Sequence, residues 1–222
     1  MNSLKVIITG ATGMVGEGIL QECLQNPTVD EILIVNRKEY SIQHPKLNQK
    51  LVDDLNQINE FDNELLKYNA CFFCAGVSSI GMNEDEYTKL TYDLTLNFAK
   101  ILAEINPEIT FCYVSGKGTD SSESGNVMWA RVKGKTENHL LKLPFKAVYN
   151  FRPGFMKPSP GAKNVKGIFK LINFIYPILR FFSKTYFLTL EEVGKSMTIV
   201  AINGYNKHVL EVQDISFLSN KY

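Results

Sequence analysis

The stretch Thr9-Gly10-Ala11-Thr12-Gly13-Met14-Val15-Gly16 decides the fold of this chain. It joins a short apolar run to a helical pattern, and its glycines follow the spacing G-x-x-G-x-x-G. Such a turn needs Gly10 for a tight reversal, Gly13 for a backbone without a Cβ and Gly16 for close packing of helix on strand. Amide groups at the start of the helix then meet a diphosphate, whose charge the helix dipole favours. The stretch therefore predicts a dinucleotide site that includes Gly10, Thr12, Gly13, Met14 and Val15.

Short runs rich in β-branched and aromatic residues alternate with longer stretches of helical periodicity along the first two thirds of the chain. The predicted strands are Leu4–Thr9, Glu31–Val35, Lys50–Val52, Ala70–Cys74, Thr110–Val114 and Ala147–Phe151. The predicted helices are Met14–Gln25, Asn83–Ile105 and Val127–Leu141. In the second helix the apolar stripe consists of Tyr87, Leu90, Leu94, Phe98, Ile101, Leu102 and Ile105. Alternating strands and helices require crossover connections, so the expected fold is α/β, a doubly wound Rossmann-type parallel sheet.

The pattern changes after Phe151. Segments that contain proline and glycine, at residues 152–154 and 158–161, predict irregular loops. A helix over Leu190–Ile202 and a strand over Val209–Val212 close the chain. We therefore expect one domain over residues 1–222, with a small C-terminal helical elaboration at residues 156–190 on the substrate side.

Residues 166–184 are the most apolar part of this elaboration. Their polar or helix-breaking positions recur at steps of four and three and so form one narrow stripe: Lys166, Lys170, Asn173, Pro177, Arg180 and Lys184. The remaining surface of such a helix is Ile, Leu, Phe and Tyr and has to be buried. Three destinations stay open: the domain's own core over the substrate cleft, a partner subunit, or a membrane surface beside the cationic edge. The chain is accordingly expected to be a monomer or a homodimer.

Composition argues against several classes of function. The 222 residues carry 24 Lys and Arg against 23 Asp and Glu, without a basic cluster, so no nucleic-acid partner is expected. No apolar run has the length of a membrane span, and no secretory signal precedes the first strand. Cys71 and Cys74 are spaced C-x-x-C inside a predicted strand, where residues three apart point to opposite faces. We therefore expect no metal site, and a reducing, cytoplasmic location.

The second predicted strand ends in Ile34-Val35-Asn36-Arg37-Lys38, about twenty residues beyond the glycine turn. An NAD site usually places an acidic residue there, whereas an NADP site uses a cation for the 2′-phosphate. This chain offers Asn36 and Arg37 and no acid. Because the arginine fork donates two parallel hydrogen bonds to a phosphate, the pattern favours NADP, with NAD as the alternative.

The glycine turn and Arg37, with Ser115-Gly116-Lys117-Gly118-Thr119-Asp120 and Val132-Lys133-Gly134-Lys135-Thr136-Glu137, resemble the short-chain dehydrogenase/reductase superfamily. The likeness is to its extended or atypical, epimerase-like branch, particularly the Tat-interacting-protein-like oxidoreductases, and it covers the chain from Lys5 to Met156. The resemblance implies further cofactor contacts. They are Asp54 and Leu55 at the adenine, Cys74, Ala75 and Gly76 over the ribose, and Pro153 and Gly154 beside the nicotinamide.

The catalytic positions depart from that superfamily. Its members carry a Ser/Tyr/Lys set whose tyrosine and lysine lie four residues apart on one helix face. Lys133 fits the lysine, which implies ribose binding, but Trp129 stands at the tyrosine position, and an indole N–H does not ionise usefully. Ser115 fits the serine, with Gly116 where relatives carry a second one. Displaced candidates for the proton donor are Tyr87, Tyr92 and Tyr113.

Two hypotheses of function follow. The first is an NADP(H)-dependent oxidoreductase or epimerase-like enzyme for a small carbonyl or alcohol, with Lys133 and Ser115 as catalytic residues. Its proton would come from water, Ser115 or Thr119. The second is a non-catalytic dinucleotide-binding regulator or sensor, which Trp129 favours. A membrane-associated carrier of the same fold is a weaker third idea.

Overall fold

The computed structural model describes residues 3–157 and 186–221, apart from the side chains of residues 59–62. The strands are β1 (Leu4–Thr9), β2 (Val29–Asn36), β3 (Leu47–Leu51), β4 (Ala70–Phe73), β5 (Thr110–Val114), β6 (Ala147–Arg152), β7 (Phe155–Lys157), β8 (Phe187–Thr189) and β9 (Val209–Glu211). Seven of them form a parallel sheet in the order β3-β2-β1-β4-β5-β6-β9. A second sheet pairs β7 with β8, also in parallel. The predicted doubly wound architecture is confirmed.

Strand β1 shows why both faces of the sheet are covered. Val6 and Ile8 point into one core and Ile7 into the other, because successive side chains of a strand alternate, and all three are fully buried. The chain builds outward from β1 to β2 and β3 and then crosses back to β4 on the other side of β1. Open α/β sheets bind ligands at such a reversal, outside the carboxyl ends of the strands.

The helices are α1 (Met14–Gln25), α2 (Asp62–Leu65), α3 (Glu84–Thr88), α4 (Leu94–Ile105), α5 (Met128–Leu140), α6 (Leu190–Asn203) and α7 (Val212–Ser219), with a 3₁₀ helix at Leu55–Phe61. Side chains of α1, α6 and α7 share the core of Val6 and Ile8, whereas those of α4 and α5 share the core of Ile7. Helices therefore cover the sheet on both sides.

The two cysteines of the C-x-x-C spacing confirm the strand geometry. Cys71 lies in the core of Ile7, and Cys74 packs against the core on the opposite side of the sheet. All four cysteines of the chain are free thiols. The spacing therefore reflects packing.

A π-helical turn at Lys89–Asp93 joins α3 to α4 and alters the predicted apolar stripe. Such a turn holds more residues than an α-helical turn and so rotates the positions beyond it. Tyr87, Phe98 and Leu102 are buried as predicted, but Leu90 is 43% exposed. The prediction of a buried Leu90 is wrong because it assumes uninterrupted α-helical spacing.

The prediction of a last strand over Val209–Val212 is wrong at its end. The strand stops at Glu211, and Val212 begins α7, which the sequence pattern does not predict. Glu211 and Asp214 form a capping box, in which each side chain accepts the other residue's backbone N–H. An acidic pair in place of the usual Ser or Thr with Glu obscures this helix start.

The predicted loop at 158–161 and the predicted apolar helix at 166–184 lie outside the described residues. Their flanks are described and lie side by side, because Phe155 pairs with Phe187 and Met156 with Leu188. The described residues on either side of this segment thus lie next to each other. None of the described helices combines the length and apolar character needed to cross a membrane.

The packing of α1 on the glycine turn gives a first prediction. A Cβ on Gly16 would lie 2.2 Å from the carbonyl oxygen of Gly10, so Gly16→Ala has to force the helix away from the turn. We expect the free energy of unfolding, measured by urea titration, to fall by about 1–3 kcal/mol. Gly76→Ala is the matched control, because a Cβ there meets no atom within 4 Å. Equal stabilities of the two variants would contradict this packing role.

Candidate functional site

The glycine turn leaves the start of α1 open. Gly10 has a φ of +69°, which favours glycine, and a Cβ there would lie 2.7 Å from the amide nitrogen of Ala75. Gly13 is exposed, is the N-cap residue of α1, and donates its own N–H to the carbonyl oxygen of Gly10 at 2.9 Å. No side chain of the described residues caps this helix. Because the first amides of a helix lack intrahelical acceptors, the turn is suited to an anion.

Two polar side chains hold this turn against the neighbouring strands. The Ala11 amide donates to Asn36 Oδ1 at 3.2 Å, and the amides of Cys74 and Ala75 both donate to Thr9 Oγ1 at 3.2 Å. Asn36 is buried, and its Nδ2 has no hydrogen-bond partner in the described chain. Asn36 thus lies under the turn and positions the residues expected to contact the diphosphate. Its side-chain NH₂ group stays available as a hydrogen-bond donor.

The residues predicted for the adenosine end lie at the same edge of the sheet. Arg37 directly follows β2, is exposed, and forms no ion pair with the described acidic residues. Asp54 is also exposed, and its Oδ1 accepts the Asn56 amide at 3.0 Å. The side chain of Leu55 lies in the core. Only the backbone of Leu55, together with Asp54, is therefore available for the predicted adenine contact.

Helix α5 brings Lys133 to this edge. Its Nζ donates to the carbonyl oxygen of Ser115, the residue that follows β5. Burial lowers the pKa of Lys133 to about 8, although attraction by Glu137, one helical turn further on, opposes the shift. Lys133 therefore keeps its proton at neutral pH but holds it weakly.

The hydroxyl of Ser115 is engaged by a buried carboxylate. Ser115 is 7% exposed, and its Oγ lies 2.5 Å from Glu137 Oε1 and 3.0 Å from the carbonyl oxygen of Phe151. Glu137 is 1% exposed, and Arg152 approaches its carboxylate with Nη2 at 2.5 Å and with Nε at 3.1 Å from each oxygen. Arg152 also contacts Glu211 at 3.2 Å. Ser115 therefore belongs to an ion-pair network as well as to the cleft.

No role for Glu137 or Arg152 follows from the sequence pattern. The available signal is Arg152 itself, a charge at the end of an apolar strand, because a buried charge needs a partner. Its partner lies on another element, and spacing along the chain does not identify it. Burial disfavours the charged guanidinium, but the hydrogen bonds that it donates to Glu137 raise the pKa of Arg152 above its usual value.

A cleft of about 600 Å³ opens next to these residues and is lined by residues 115–118, residues 153–156 and Tyr186. That volume suits a small molecule. The Pro153–Gly154 loop is closely packed: a Cβ on Gly154 would lie 2.3 Å from the carbonyl oxygen of Tyr186, which accepts the Phe155 amide at 2.7 Å. The Lys117 amide donates to the carbonyl oxygen of Pro153 at 2.8 Å. The cleft thus adjoins the loop predicted to lie beside the nicotinamide.

Trp129 lies in the first turn of α5 and packs beside the cleft. A Cβ on Gly118 would stand 3.6 Å from its Cη2 atom, so the indole contacts the loop that follows β5. The tyrosines considered as displaced proton donors do not line the described cleft. Tyr87 and Tyr113 are buried, and burial raises the pKa of both phenols. Tyr92 contacts His139 Nδ1 at 2.5 Å.

The comparisons agree with this geometry. The profile of the NAD dependent epimerase/dehydratase family matches residues 6–124. Protein HTATIP2 of Rattus norvegicus is 26% identical over 159 residues, which cover 70% of this chain and 64% of that protein. The "Protein fmp52, mitochondrial" of Emericella nidulans is 28% identical over 158 residues, or 68% of this chain and 66% of that protein. The matched region thus spans slightly less than two thirds of each relative.

The fold has close counterparts among solved structures. That of "MoeE5 in complex with UDP-glucose and NAD" has a TM-score of 0.65 and 15% sequence identity, and it covers 97% of this chain and 80% of that one. At this identity the likeness concerns the fold. It confirms the Rossmann-type sheet independently of the sequence pattern.

The environment of Lys133 gives a second prediction. Because burial holds its pKa near 8, its amine should lose the proton and react with acetic anhydride with a midpoint near that pH. The rate at each lysine is measured by mass spectrometry from about pH 6 to about pH 10. In Glu137→Gln the attraction that opposes the shift is gone, so the midpoint should move to lower pH, with circular dichroism to check folding. A wild-type midpoint at the ordinary lysine value of about 10.4 would contradict this environment.

Proposed function

Because the chain belongs to the NAD-dependent epimerase/dehydratase family, an NAD(P)-binding oxidoreductase family, we propose that it binds NADP(H) at the glycine turn and acts on a small carbonyl or alcohol. The observation that carries this proposal is the open start of α1 at Gly13, at the point where the strand order reverses. MoeE5, which shares the fold, is recorded with NAD, and this supports the class of cofactor.

The residues present fit such a dinucleotide. In this proposal the amides of Met14 and Val15, at the open start of α1, meet the diphosphate, and Arg37, exposed and without an acidic partner in the described chain, meets the 2′-phosphate. The backbone of residues 74–76 passes the ribose, and Pro153 and Gly154 border the nicotinamide. Asn36 supports the turn from below through the Ala11 amide.

The bound cofactor would supply or accept the hydride, and the protein has to orient the substrate and move a proton. Lys133, which is protonated below about pH 8, serves to hold the ribose. Thr119 is an unsuitable proton donor, because its hydroxyl donates to the carbonyl oxygen of Gly116 at 2.7 Å. The hydroxyl of Ser115 likewise donates to Glu137 at 2.5 Å, so of the three candidates water in the cleft remains.

Two features favour the second candidate function, a non-catalytic dinucleotide-binding regulator or sensor. The resemblance puts Trp129, whose ring packs against Gly118, at the tyrosine position, and the hydroxyl of Ser115 donates to a buried carboxylate. In this alternative the cofactor's redox state, rather than turnover, is the output. Both candidates require the same cofactor site.

We further propose a small-molecule substrate, a monomeric or homodimeric state and a cytoplasmic location. The last proposal rests on the four free thiols, since disulfides are rare in reducing compartments.

Cofactor choice gives a third prediction, which calorimetric titration with NADPH and NADH tests. Wild-type protein should bind NADPH more tightly, and Arg37→Ala should weaken NADPH about tenfold while leaving NADH unchanged, because a charge-assisted contact to the 2′-phosphate is lost. Lys38→Ala, at the adjacent exposed cation, is the matched control and should retain the preference. Equal affinity of the wild type for both nucleotides would remove the basis for NADP.

The catalytic positions give a fourth prediction, which separates the two functions. If the protein is an enzyme, purified protein consumes NADPH with a carbonyl from a screened panel, and Lys133→Ala reduces the rate at least about tenfold. If it is a regulator, wild type binds NADPH without turnover, and Trp129→Tyr introduces activity. Turnover that survives Lys133→Ala unchanged would count against the site as placed.

A further inference from the structure

In the described part of the chain, Lys133, Arg152 and Lys117 lie at or beside the cleft, and they differ in their partners. Lys133 donates to the carbonyl oxygen of Ser115, and Arg152 is neutralised by Glu137 and Glu211. Lys117 lines the cleft and forms no ion pair with any carboxylate of the described chain. It is also the one formally charged residue among the described residues that line the cleft. No carboxylate of the described chain therefore neutralises its ammonium.

The ammonium of Lys117 lies against an aromatic ring. Its Nζ is 4.4 Å from the ring centroid of Tyr186, a cation–π distance. The ring face covers one side of the ammonium. Because an ammonium has three N–H donors, those that point away from the ring stay available for an anion. Tyr186 is 53% exposed and also lines the cleft.

The backbones of both residues are fixed. The Lys117 amide donates to the carbonyl oxygen of Pro153 at 2.8 Å, and the carbonyl oxygen of Tyr186 accepts the Phe155 amide at 2.7 Å. The absence of a Cβ at Gly154 allows the Tyr186 backbone to approach this closely. Lys117 and Tyr186 are thus attached to the same loop, and a site held in this way loses little entropy when a ligand binds.

Apart from Ser115 and the glycines, the rest of the described lining is apolar. Pro153, Phe155 and Met156 border the cleft, and the ring of Phe155 packs on that of Phe187 with centroids 5.8 Å apart. A cation at one wall and apolar side chains at another match a molecule with one charged end and an apolar body. One ammonium balances one negative charge, so a monoanion is the better match.

We infer that the substrate of this protein is a carbonyl or alcohol compound that carries a carboxylate and an apolar body, and that Lys117 is the residue that selects the carboxylate. The inference rests on the proposed function, because it takes the cleft beside the proposed nicotinamide loop as the substrate site. It goes further by naming the class of substrate and the residue that recognises it.

The test compares 4-acetylbenzoate with its methyl ester, two ketones that share a ring and a reacting group but differ in charge. Calorimetry measures the binding of each to protein saturated with NADP⁺. Wild type should bind the acid about tenfold or more tightly than the ester, because a charge-assisted hydrogen bond forms with the acid alone. Lys117→Met keeps an unbranched side chain but removes the ammonium and should abolish this preference, whereas Lys117→Arg should retain it.

The chain offers a matched control in Lys135. Its Nζ also lies over a tyrosine ring, 4.6 Å from the centroid of Tyr92, but Lys135 does not line the described cleft. Lys135→Met should therefore leave the preference for the acid unchanged. Circular dichroism checks that each variant is folded, and the wild-type comparison of acid with ester decides the matter even if one is not.

Several outcomes would overturn the inference. They are equal wild-type affinities for the two ketones, no binding of either at millimolar concentration, or a preference for the acid that survives in Lys117→Met. Titration of the same samples with NADPH separates the two levels of the account. If the protein binds the nucleotide but does not prefer the acid, only the substrate class is wrong. If it binds no nucleotide, the proposed function itself is wrong.

Discussion

The rest of the structure depends on the close approach of the first helix to the end of the first strand. Gly16 packs against the carbonyl group of Gly10, and Gly10 in turn presses on the chain at Ala75, just after β4. These contacts place the start of α1 over the crevice where the strand order reverses. Arg37, directly after β2, and Lys133, on α5, lie at the same edge of the sheet. A side chain at either glycine would separate the parts of this site.

The cations around the crevice fall into two groups, those that form ion pairs within the described chain and those that do not. Arg152 is buried and fully engaged by Glu137 and Glu211, as a buried charge has to be. Arg37 and Lys117 have no acidic partner in the described chain. The first network holds Ser115 at the cleft, whereas Arg37 and Lys117 are the cations for which we propose ligands. The hydroxyl of Ser115 donates to Glu137 of this network, so Ser115 has a structural contact as well as its predicted catalytic role.

Local patterns predict much of this structure. Continuous apolar runs identify β1, β4 and β5, because strands covered on both faces have no polar side to display, and glycine spacing identifies the turn. What escapes prediction depends on pairing between distant elements or on unusual local chemistry. The π turn exposes Leu90, an acidic capping box starts α7, and Arg152 finds Glu137 on another element. Tyr186 enters the cleft only because β7 and β8 pair across the intervening chain.

The central claim is that the backbone amides at the start of α1 bind a diphosphate. A ¹⁵N-labelled sample titrated with NADP⁺ and followed by amide chemical shifts tests it most directly. The account predicts that the resonances of Met14 and Val15 shift most strongly and saturate together with that of Arg37. Saturating nucleotide that leaves these amides unperturbed would contradict it, whatever changes elsewhere in the spectrum.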